Sequence, residues 1–345
     1  MEKTGRTSVD GRVEKRSTIG DVARRAGVSA ATVSRVVNGV YDKASAKTVA
    51  RVQAAVDDLK YRPGSIGRAL RKQESRLVPF LVPDVSNAFY SAIAVSVEAA
   101  LRDREYAMIL CNTAEDPVRQ DAYLTEMSSH LVPGIAMMGA VESPGLRAMV
   151  EGGETLVFVN RRSPYPGAQP FVGIDNFNAG RDVAHYMADH GLDRCGMICG
   201  PEASAASRDR RAGYLSGLAE RQISPEDAHL VKGGLTVEDG YRSATELFSR
   251  NPQPRAVFCV NDLVAYGARK RCSELRLDVP GDVVLFGIDD NPLNEWVAPW
   301  LSTVHVPADA IGEAVGRILV EIWDGRTMSD IPDAILPYRM VLRGE

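Results

Sequence analysis

From Leu77 to Phe286, short apolar runs alternate with amphipathic helical stretches, and this alternation limits the possible folds more than any other feature. The runs have the length of buried β-strands, and the stretches between them carry apolar residues at helical spacing. Such alternation favours parallel sheets covered by helices on both faces. The predicted strands are 77–82, 106–111, 136–138, 155–159, 195–199, 256–260 and 283–286, and the predicted helices are 89–101, 179–190, 210–220, 237–249 and 262–275. Roughly 270 residues of this kind predict two doubly wound α/β lobes.

Charge divides the chain at the start of this region. Residues 1–76 contain 17 Lys+Arg and 8 Asp+Glu, whereas the rest contains 24 and 37. A basic head on an acidic body indicates a nucleic-acid-binding module joined to a second function. The alternative is a solvated basic tail.

The head has the pattern of three short helices after a tail, residues 1–16, whose composition predicts disorder. Thr18 followed by Asp21 is a helix-start pattern, and Gly27 can end that helix in the left-handed conformation. Ser29 is placed to cap a second helix and Ser45 a third. A short helix, a glycine-containing turn and a second helix predict a helix-turn-helix.

The second helix carries the candidate DNA contacts. Ser29, Thr32, Ser34 and Arg35 lie opposite its valine face; hydroxyls suit phosphate oxygens, and arginine suits a phosphate or a guanine edge. The alternatives are that Ser29 only caps the helix and that Arg35 is a surface charge.

Two stretches closely resemble the DNA-binding head of the LacI/GalR family of repressors: the run TIGDVARRAGVSAATVSRVVNG from Thr18 to Gly39, and Tyr61-Arg62-Pro63. The resemblance implies a DNA-binding domain over 17–63, with Ala30 and Ala31 at base-reading positions. It also implies a hinge helix over 64–76, in which Leu70 wedges into the minor groove with Ala69 behind it. The implied DNA contacts are Thr18, Ser29, Ala30, Ala31, Thr32, Ser34, Arg35, Asn38, Tyr61, Ala69 and Leu70.

The resemblance covers nearly the whole chain and implies that 77–345 form an effector-binding and dimerisation core, built like a periplasmic binding protein. In that fold the chain crosses between the lobes three times, and we expect crossings near 171–173, 303–307 and 331–333. Lobe 1 is then about 77–172 plus 304–331, and lobe 2 about 173–303 plus 332–345. The implied protein is a homodimeric repressor on a pseudo-palindromic DNA operator, controlled by a sugar or sugar derivative between the lobes. The strand-like C-terminal stretch favours a dimer over a tetramer.

Polar residues follow several predicted strands, where open parallel sheets bind ligands. Carboxylates, amides and arginine suit a hydroxyl-rich effector, on which an aromatic ring would stack, although the arginines equally suit an acid sugar or a phosphate. The candidates from strand position are Asp84, Asn87, Phe89, Tyr90, Asn160, Arg161, Asn261, Asp262 and Asp289, and the family resemblance adds Arg210, at the place of an arginine that reaches the effector. Asn261 and Asp262 have the alternative role of capping the next helix, and a protein co-repressor docking on the core is an alternative form of control.

Other function classes lack their sequence signatures. The chain has no dinucleotide-binding fingerprint, phosphate-binding loop, zinc-protease motif or nucleophile elbow, so we expect no enzyme activity, no cofactor and no metal site. It has no apolar run long enough to span a membrane and no secretory signal. Five scattered cysteines do not suggest a disulfide framework, and we expect a cytoplasmic protein.

Overall fold

The computed structural model of the chain describes residues 17–61, 75–192, 194–224, 229–250 and 253–343. The chain divides into two compact units, residues 1–74 and 75–345. The predicted tail, Ala69, Leu70 and nearly all of the predicted hinge over 64–76 lie outside the described residues.

The head contains the three predicted helices, α1 (Ile19–Ala26), α2 (Ala30–Val37) and α3 (Ala46–Asp58). Thr18 and Asp21 form a reciprocal capping box at the start of α1, and Gly27 ends that helix with φ 63°. The hydroxyls of Ser29 and Ser45 accept backbone N–H groups in the first turns of α2 and α3. The predicted helix-turn-helix and its caps are therefore confirmed.

A small apolar core fixes the angles between the three helices. Val22, Val33 and Val52 are fully buried at its centre, one from each helix. The hydroxyl of Ser17 donates a hydrogen bond to the carbonyl of Leu59 at 2.9 Å, which joins the start of the described head to its end. The valine spacing thus both predicts the helices and holds them together.

The second unit contains twelve strands and nine helices in its described residues, apart from one 3₁₀ turn. In chain order they are β1 (Leu77–Val82), α4 (Ala88–Arg102), β2 (Ala107–Asn112), α5 (Pro117–Ser129), β3 (Ile135–Met138), α6 (Pro144–Glu151), β4 (Leu156–Val159), β5 (Phe171–Ile174), α7 (Asn176–Asp189), β6 (Cys195–Cys199), α8 (Ala205–Glu220), β7 (Leu230–Lys232), α9 (Val237–Phe248), β8 (Ala256–Cys259), α10 (Asp262–Glu274), β9 (Val284–Asp289), α11 (Asn294–Val297), β10 (Ser302–His305), α12 (Ala308–Trp323), β11 (Ala334–Leu336) and β12 (Arg339–Val341).

These elements form two six-stranded sheets, each the centre of one lobe. The first has the order β11-β5-β4-β3-β1-β2 and is parallel throughout. The second has the order β12-β10-β9-β8-β6-β7 and is parallel except for β12. Helices α4 and α12 cover one face of the first sheet, with α5 and α6 on the other. Helices α7 and α8 cover one face of the second, with α9 and α10 on the other. The predicted two-lobe α/β class is confirmed.

The chain crosses between the lobes after β5, after β10 and between β11 and β12. The first and third predicted crossings were placed too early. Residues 171–174 belong to the first sheet, and residues 334–336 form its edge strand beside β5 instead of entering lobe 2. The third crossing lies later than predicted because Asp333 holds the segment before it against lobe 1. The carboxylate of Asp333 accepts the N–H of Phe171 at 3.0 Å.

Helices α7 and α8 pack closely because glycines occupy their contact. A Cβ atom on Gly213 would lie 1.8 Å from the carbonyl oxygen of Phe177, and one on Gly180 would lie 2.2 Å from that of Arg210. Both positions therefore exclude any side chain. The close approach fixes the positions of Phe177 and Arg210 beside the groove between the lobes.

We predict that Asp21→Asn lowers the melting temperature of the isolated head, residues 1–74, at pH 7. Hydrogen bonds from Thr18 lower the pKa of Asp21 from 3.8 to about 2. Because the folded-state pKa is the lower one, the stabilisation is present above pH 3.8 and is lost as the pH falls through about 2. Circular dichroism should show the gap between wild type and variant closing between pH 4 and pH 2.

The matched control is Asp42→Asn, which changes an exposed carboxylate in the turn after α2. Its melting temperature should follow that of wild type at every pH. A gap for Asp21→Asn that does not change with pH would contradict the capping role.

Candidate functional site

The first turn of α2 carries small side chains on the outer surface of the head. Ala30 and Ala31 are exposed there. The Nε of Arg35 donates to the carbonyl of Ala31 at 3.3 Å, which lays the guanidinium along this turn. The hydroxyl of Ser29 accepts the N–H of Thr32 at 3.2 Å, so Ser29 does cap the helix. The exposed turn therefore offers two methyl groups beside one arginine.

The other predicted DNA contacts occupy different settings. Ser34 is buried on the core side of α2, although it was predicted to lie on the outer face; its position next to Val33 places it at the edge of the valine stripe. The side chain of Asn38 donates to the carbonyl of Ser34 at 2.6 Å and closes the helix. Thr18 is exposed at the start of α1, and Tyr61 packs against the head core. Their contacts with DNA remain predictions.

A narrow cleft lies between the two lobes, at the carboxyl ends of strands from both sheets. It has a volume of about 20 Å³, which is room for about one water molecule. Six predicted effector residues line it: Tyr90, Asn160, Arg161, Arg210, Asn261 and Asp289. The remaining lining residues are Met138, Gly139, Ser204, Ala206, Ser207 and Leu235. The rule that parallel sheets bind ligands at these strand ends thus brings together most of the candidates.

Arg210 is the central buried cation of this cleft. Its Nε donates to the side-chain oxygen of Asn176 at 2.8 Å, and its Nη1 donates to the carbonyl of Val260 at 2.7 Å. Its Nη2 lies 4.0 Å from a carboxylate oxygen of Asp289 and has no hydrogen-bond partner among the described residues. Burial raises the pKa of Asp289 well above its usual value, and the charge of Arg210 opposes that rise. A buried donor without a partner is costly, so Nη2 is a strong candidate to bind a ligand oxygen.

Arg161 and Asn160 form the opposite wall. The Nη2 of Arg161 donates to Glu115 at 2.8 Å, so this arginine already has a carboxylate partner. The Oδ1 of Asn160 is buried and has no hydrogen-bond partner within the described part of the chain. Asn160 also has φ 59°, a left-handed conformation that is strained for most residues. The two walls therefore place one uncommitted donor and one uncommitted acceptor in the same cleft.

Four predicted effector residues do not line the cleft. Asp84 accepts the N–H and hydroxyl of Ser86, and Asn87 caps α4 by accepting the N–H of Phe89 at 3.0 Å. Phe89 is not available for stacking, because it points into the apolar core of lobe 1 with 2% exposure. Short polar side chains after a strand are thus used here to shape the turn into the next helix.

Asp262, the fourth of these residues, is a structural carboxylate. It is fully buried and accepts a hydrogen bond from the hydroxyl of Thr303 at 2.6 Å. It also accepts the backbone N–H of Asn291 and the side-chain amide of Asn294, each at 2.7 Å. Burial raises its pKa to about 6, although these donors oppose the rise. Asn261 beside it caps α10, as the alternative reading proposed, but also lines the cleft.

Sequence reasoning missed several lining residues. Ser204 and Ser207 were not singled out because they read as an ordinary helix start, and Ser204 does cap α8. Glu115, the partner of Arg161, does not line the cleft itself; it follows the end of β2 and was missed as well. Met138 carries no polar signal at all, and only the tertiary fold places it here.

Two other kinds of site are absent from the described segments. No group of three or more His, Cys, Asp or Glu side chains there is arranged to hold a metal ion. None of the helices in those segments has both the length and the apolar character needed to cross a membrane.

Comparison with known proteins gives a consistent picture. The family of bacterial regulatory proteins named lacI matches residues 18–64, and a periplasmic binding protein-like domain matches residues 184–344. The chain is 32% identical over 311 residues to the HTH-type transcriptional repressor PurR of Klebsiella pneumoniae (strain 342), covering 88% of this chain and 90% of the relative. It is 31% identical over 306 residues to the ribose operon repressor of Escherichia coli (strain K12), covering 88% and 92%. A solved complex of the transcriptional regulator CelR with cellobiose is similar with a TM-score of 0.72 and 26% identity, covering 95% of this chain and 99% of that one.

We predict that Asp262→Ala lowers the free energy of unfolding by about 3 kcal/mol at pH 7, because three buried donors lose their acceptor. The folded-state pKa of about 6 lies above the ordinary 3.8, so the stability that Asp262 contributes falls as the pH rises through 6. Urea unfolding should therefore show a larger gap between wild type and variant at pH 5 than at pH 7.5.

Asp84→Ala is the control for this prediction, since it also follows a strand but is partly exposed. It should cost less than about 1 kcal/mol at both pH values. Equal effects of the two substitutions would show that Asp262 is not the structural carboxylate described.

Proposed function

The chain belongs to the lacI family of bacterial regulatory proteins, and from this premise we propose that it is a homodimeric repressor whose effector is a neutral, hydroxyl-rich molecule. It is a DNA-binding transcriptional regulator controlled by a small-molecule effector. We further propose the sign of regulation, the assembly, the chemical class of the effector and the residues that carry each role. A protein with this function acts in the bacterial cytoplasm, where the DNA is.

Helix α2 is the proposed recognition helix. Ala30 and Ala31 allow it to approach the floor of a major groove closely and contact thymine methyl groups, while Arg35 reaches a guanine edge or a phosphate. Thr18, Ser29, Thr32, Asn38 and Tyr61 then position the head on the phosphate backbone. Ser34 acts from inside the head, because its side chain is buried.

The observation that carries the effector assignment is the pair of uncommitted buried atoms, Arg210 Nη2 and Asn160 Oδ1. One donates and the other accepts, which matches two neighbouring hydroxyl groups of a polyol. Each arginine of the cleft has a carboxylate neighbour, Glu115 for Arg161 and Asp289 for Arg210. A neutral ligand therefore suits the cleft better than an acid sugar or a sugar phosphate.

The volume of the cleft supports a mechanism that involves movement. About 20 Å³ is too small for a sugar ring, so the lobes must separate before one can enter. The effector then binds the two arrangements of the lobes with different affinity, and this difference is what couples its binding to DNA binding. The three crossings are the segments that take up the motion.

Exposed apolar side chains support the homodimer. Trp296 and Val297 on lobe 2 are 78% and 61% exposed, and Val95 and Val118 on lobe 1 are 69% and 77% exposed. Trp296 and Val297 are adjacent in the chain, and a contiguous exposed apolar patch is typical of an interaction surface. A two-fold dimer presents two recognition helices to successive major grooves, which requires a pseudo-palindromic operator.

We predict that Arg35→Ala lowers the preference for the operator over unrelated DNA by about tenfold or more, because a base-edge contact contributes roughly 1–3 kcal/mol of discrimination. The operator is first selected by the full chain from a randomised duplex library, and both affinities are measured by fluorescence anisotropy. Arg51→Ala, an exposed arginine on α3, is the control and should leave the preference unchanged. An unchanged preference in Arg35→Ala would contradict its base-reading role.

We predict that Arg210→Ala abolishes the effect of neutral sugars on operator binding while operator affinity itself is kept. The variant removes the donor that faces the cleft, and Arg208→Ala removes an exposed arginine two positions earlier on α8 as the control. Operator affinity is measured with and without each member of a panel of monosaccharides and disaccharides. A sugar response that persists in Arg210→Ala would place the effector site elsewhere.

A further inference from the structure

A second cavity lies directly beside the cleft, on the side of the first and third crossings. Its volume is about 200 Å³, ten times that of the cleft. Residues of lobe 1 at the ends of β4, β5 and β11 form one wall, and the first turns of α7 and α8 form the other. Asn160 and Ala206 line both cavities, so they form the partition between them.

The walls of this second cavity combine apolar and polar surface. Phe177 from lobe 2 and Ile335 from lobe 1 both line it, although each is large, apolar and exposed, at 39% and 48%. An exposed aromatic face beside an aliphatic side chain is the surface on which the apolar face of a sugar ring packs. The glycine-mediated contact between α7 and α8 fixes Phe177 in this position.

Some polar side chains of the cavity already have hydrogen-bond or ion-pair partners, and one does not. Arg162 pairs with Asp333 at 2.5 Å and lies over the ring of Phe171 at 4.3 Å. Asp175 accepts the N–H and the side-chain amide of Asn178. Asp209 makes no hydrogen bond or ion pair within the described residues, and partial burial raises its pKa. Asp209 is therefore the carboxylate left to accept a hydrogen bond from a ligand.

Charge selects against an anionic occupant. Two carboxylates, Asp175 and Asp209, line the cavity, and its one arginine is neutralised by Asp333. A phosphate or carboxylate group would meet like charge here, whereas a hydroxyl can donate to Asp209. The cavity therefore suits a neutral hydroxylated ring.

We propose that the effector is a neutral disaccharide, with one ring in the cleft and the second ring in this neighbouring cavity. The inference rests on the proposed function of the cleft as an effector site. The first ring binds Arg210 Nη2, the linkage passes the buried Oδ1 of Asn160, and the second ring packs on Phe177 and donates a hydroxyl to Asp209. Both lobes contribute to the second subsite next to two of the crossings, so an occupant there also favours one relative placement of the lobes.

The test measures sugar affinities of the full chain by isothermal titration calorimetry. The panel pairs each disaccharide with its own monosaccharides: cellobiose and maltose with glucose, lactose with glucose and galactose, and glucose 6-phosphate as the anionic member. We expect at least one disaccharide to bind about tenfold or more tightly than its monosaccharides, and glucose 6-phosphate to bind no better than glucose. A monosaccharide that binds as tightly as its disaccharides would overturn the proposal.

Variants then separate the two subsites. Asp209→Asn and Phe177→Ala should each weaken binding of that disaccharide about tenfold and leave monosaccharide binding unchanged, with Phe177→Leu as a milder variant in case Phe177→Ala is unstable. Glu313→Gln, an exposed carboxylate on α12, should change neither affinity.

The outcomes distinguish this inference from the function on which it rests. If Arg210→Ala removes sugar binding while the variants at Phe177 and Asp209 have no effect, the effector cleft stands and the second subsite is wrong. If no sugar of the panel binds the full chain, the sugar-controlled function is wrong and the second subsite falls with it.

Discussion

The buried guanidinium of Arg210 is the interaction on which the arrangement of the cleft depends. A charge removed from water is tolerated only where hydrogen bonds and an opposite charge replace its hydration. Here Asn176 at the start of α7, the carbonyl of Val260 after β8 and the carboxylate of Asp289 at the end of β9 surround it. Arg210 thereby holds three strand and helix ends of lobe 2 at one point in the lining of the cleft, and its Nη2 has no hydrogen-bond partner among the described residues. The glycine at position 180 makes this possible, because any side chain there would collide with the backbone of Arg210.

Strain at the same strand ends links the cleft to the crossings. Asp289 and Asp290 have φ of 129° and 52°, conformations that persist only where the surroundings enforce them. Asp290 accepts hydrogen bonds from His305 at 2.9 Å and from Arg343 at 2.8 Å. Burial raises the pKa of Asp290, but these two partners outweigh burial and bring the pKa below its usual value. His305 ends β10 directly before the second crossing, and Arg343 follows β12 after the third. A ligand that moves Asp289 therefore acts on a turn already tied to two of the three segments that join the lobes.

The sequence predicted the elements whose signals are local. The caps Thr18, Ser29 and Ser45 and the alternation of strands and helices depend on neighbouring residues, and the structure confirms them. The helices at 117–129, 144–151 and 308–323 were not among the predicted elements, although Asp116-Pro117 and Ser143-Pro144 are good helix starts. Residues 334–336 were assigned to lobe 2, because the contact that holds this segment to lobe 1 joins residues 162 positions apart and leaves no local signal.

The residues of the candidate site also differ in how far the local sequence could predict them. Position after a strand predicted five of the six cleft residues, and the family resemblance supplied Arg210. Position alone could not tell those five from Asp84, Asn87 and Asp262, which follow strands equally and serve the turns. What separates the two groups is whether a side chain's hydrogen-bonding atoms are already used within its own lobe. Asp262 has three donors at its carboxylate, whereas Asn160 Oδ1 and Arg210 Nη2 have no partner among the described residues. Both residues line the cleft, where the second lobe or a bound molecule can complete them. A regulator that must respond to a ligand needs this kind of incompleteness, because a cleft satisfied by its own side chains would gain nothing from binding.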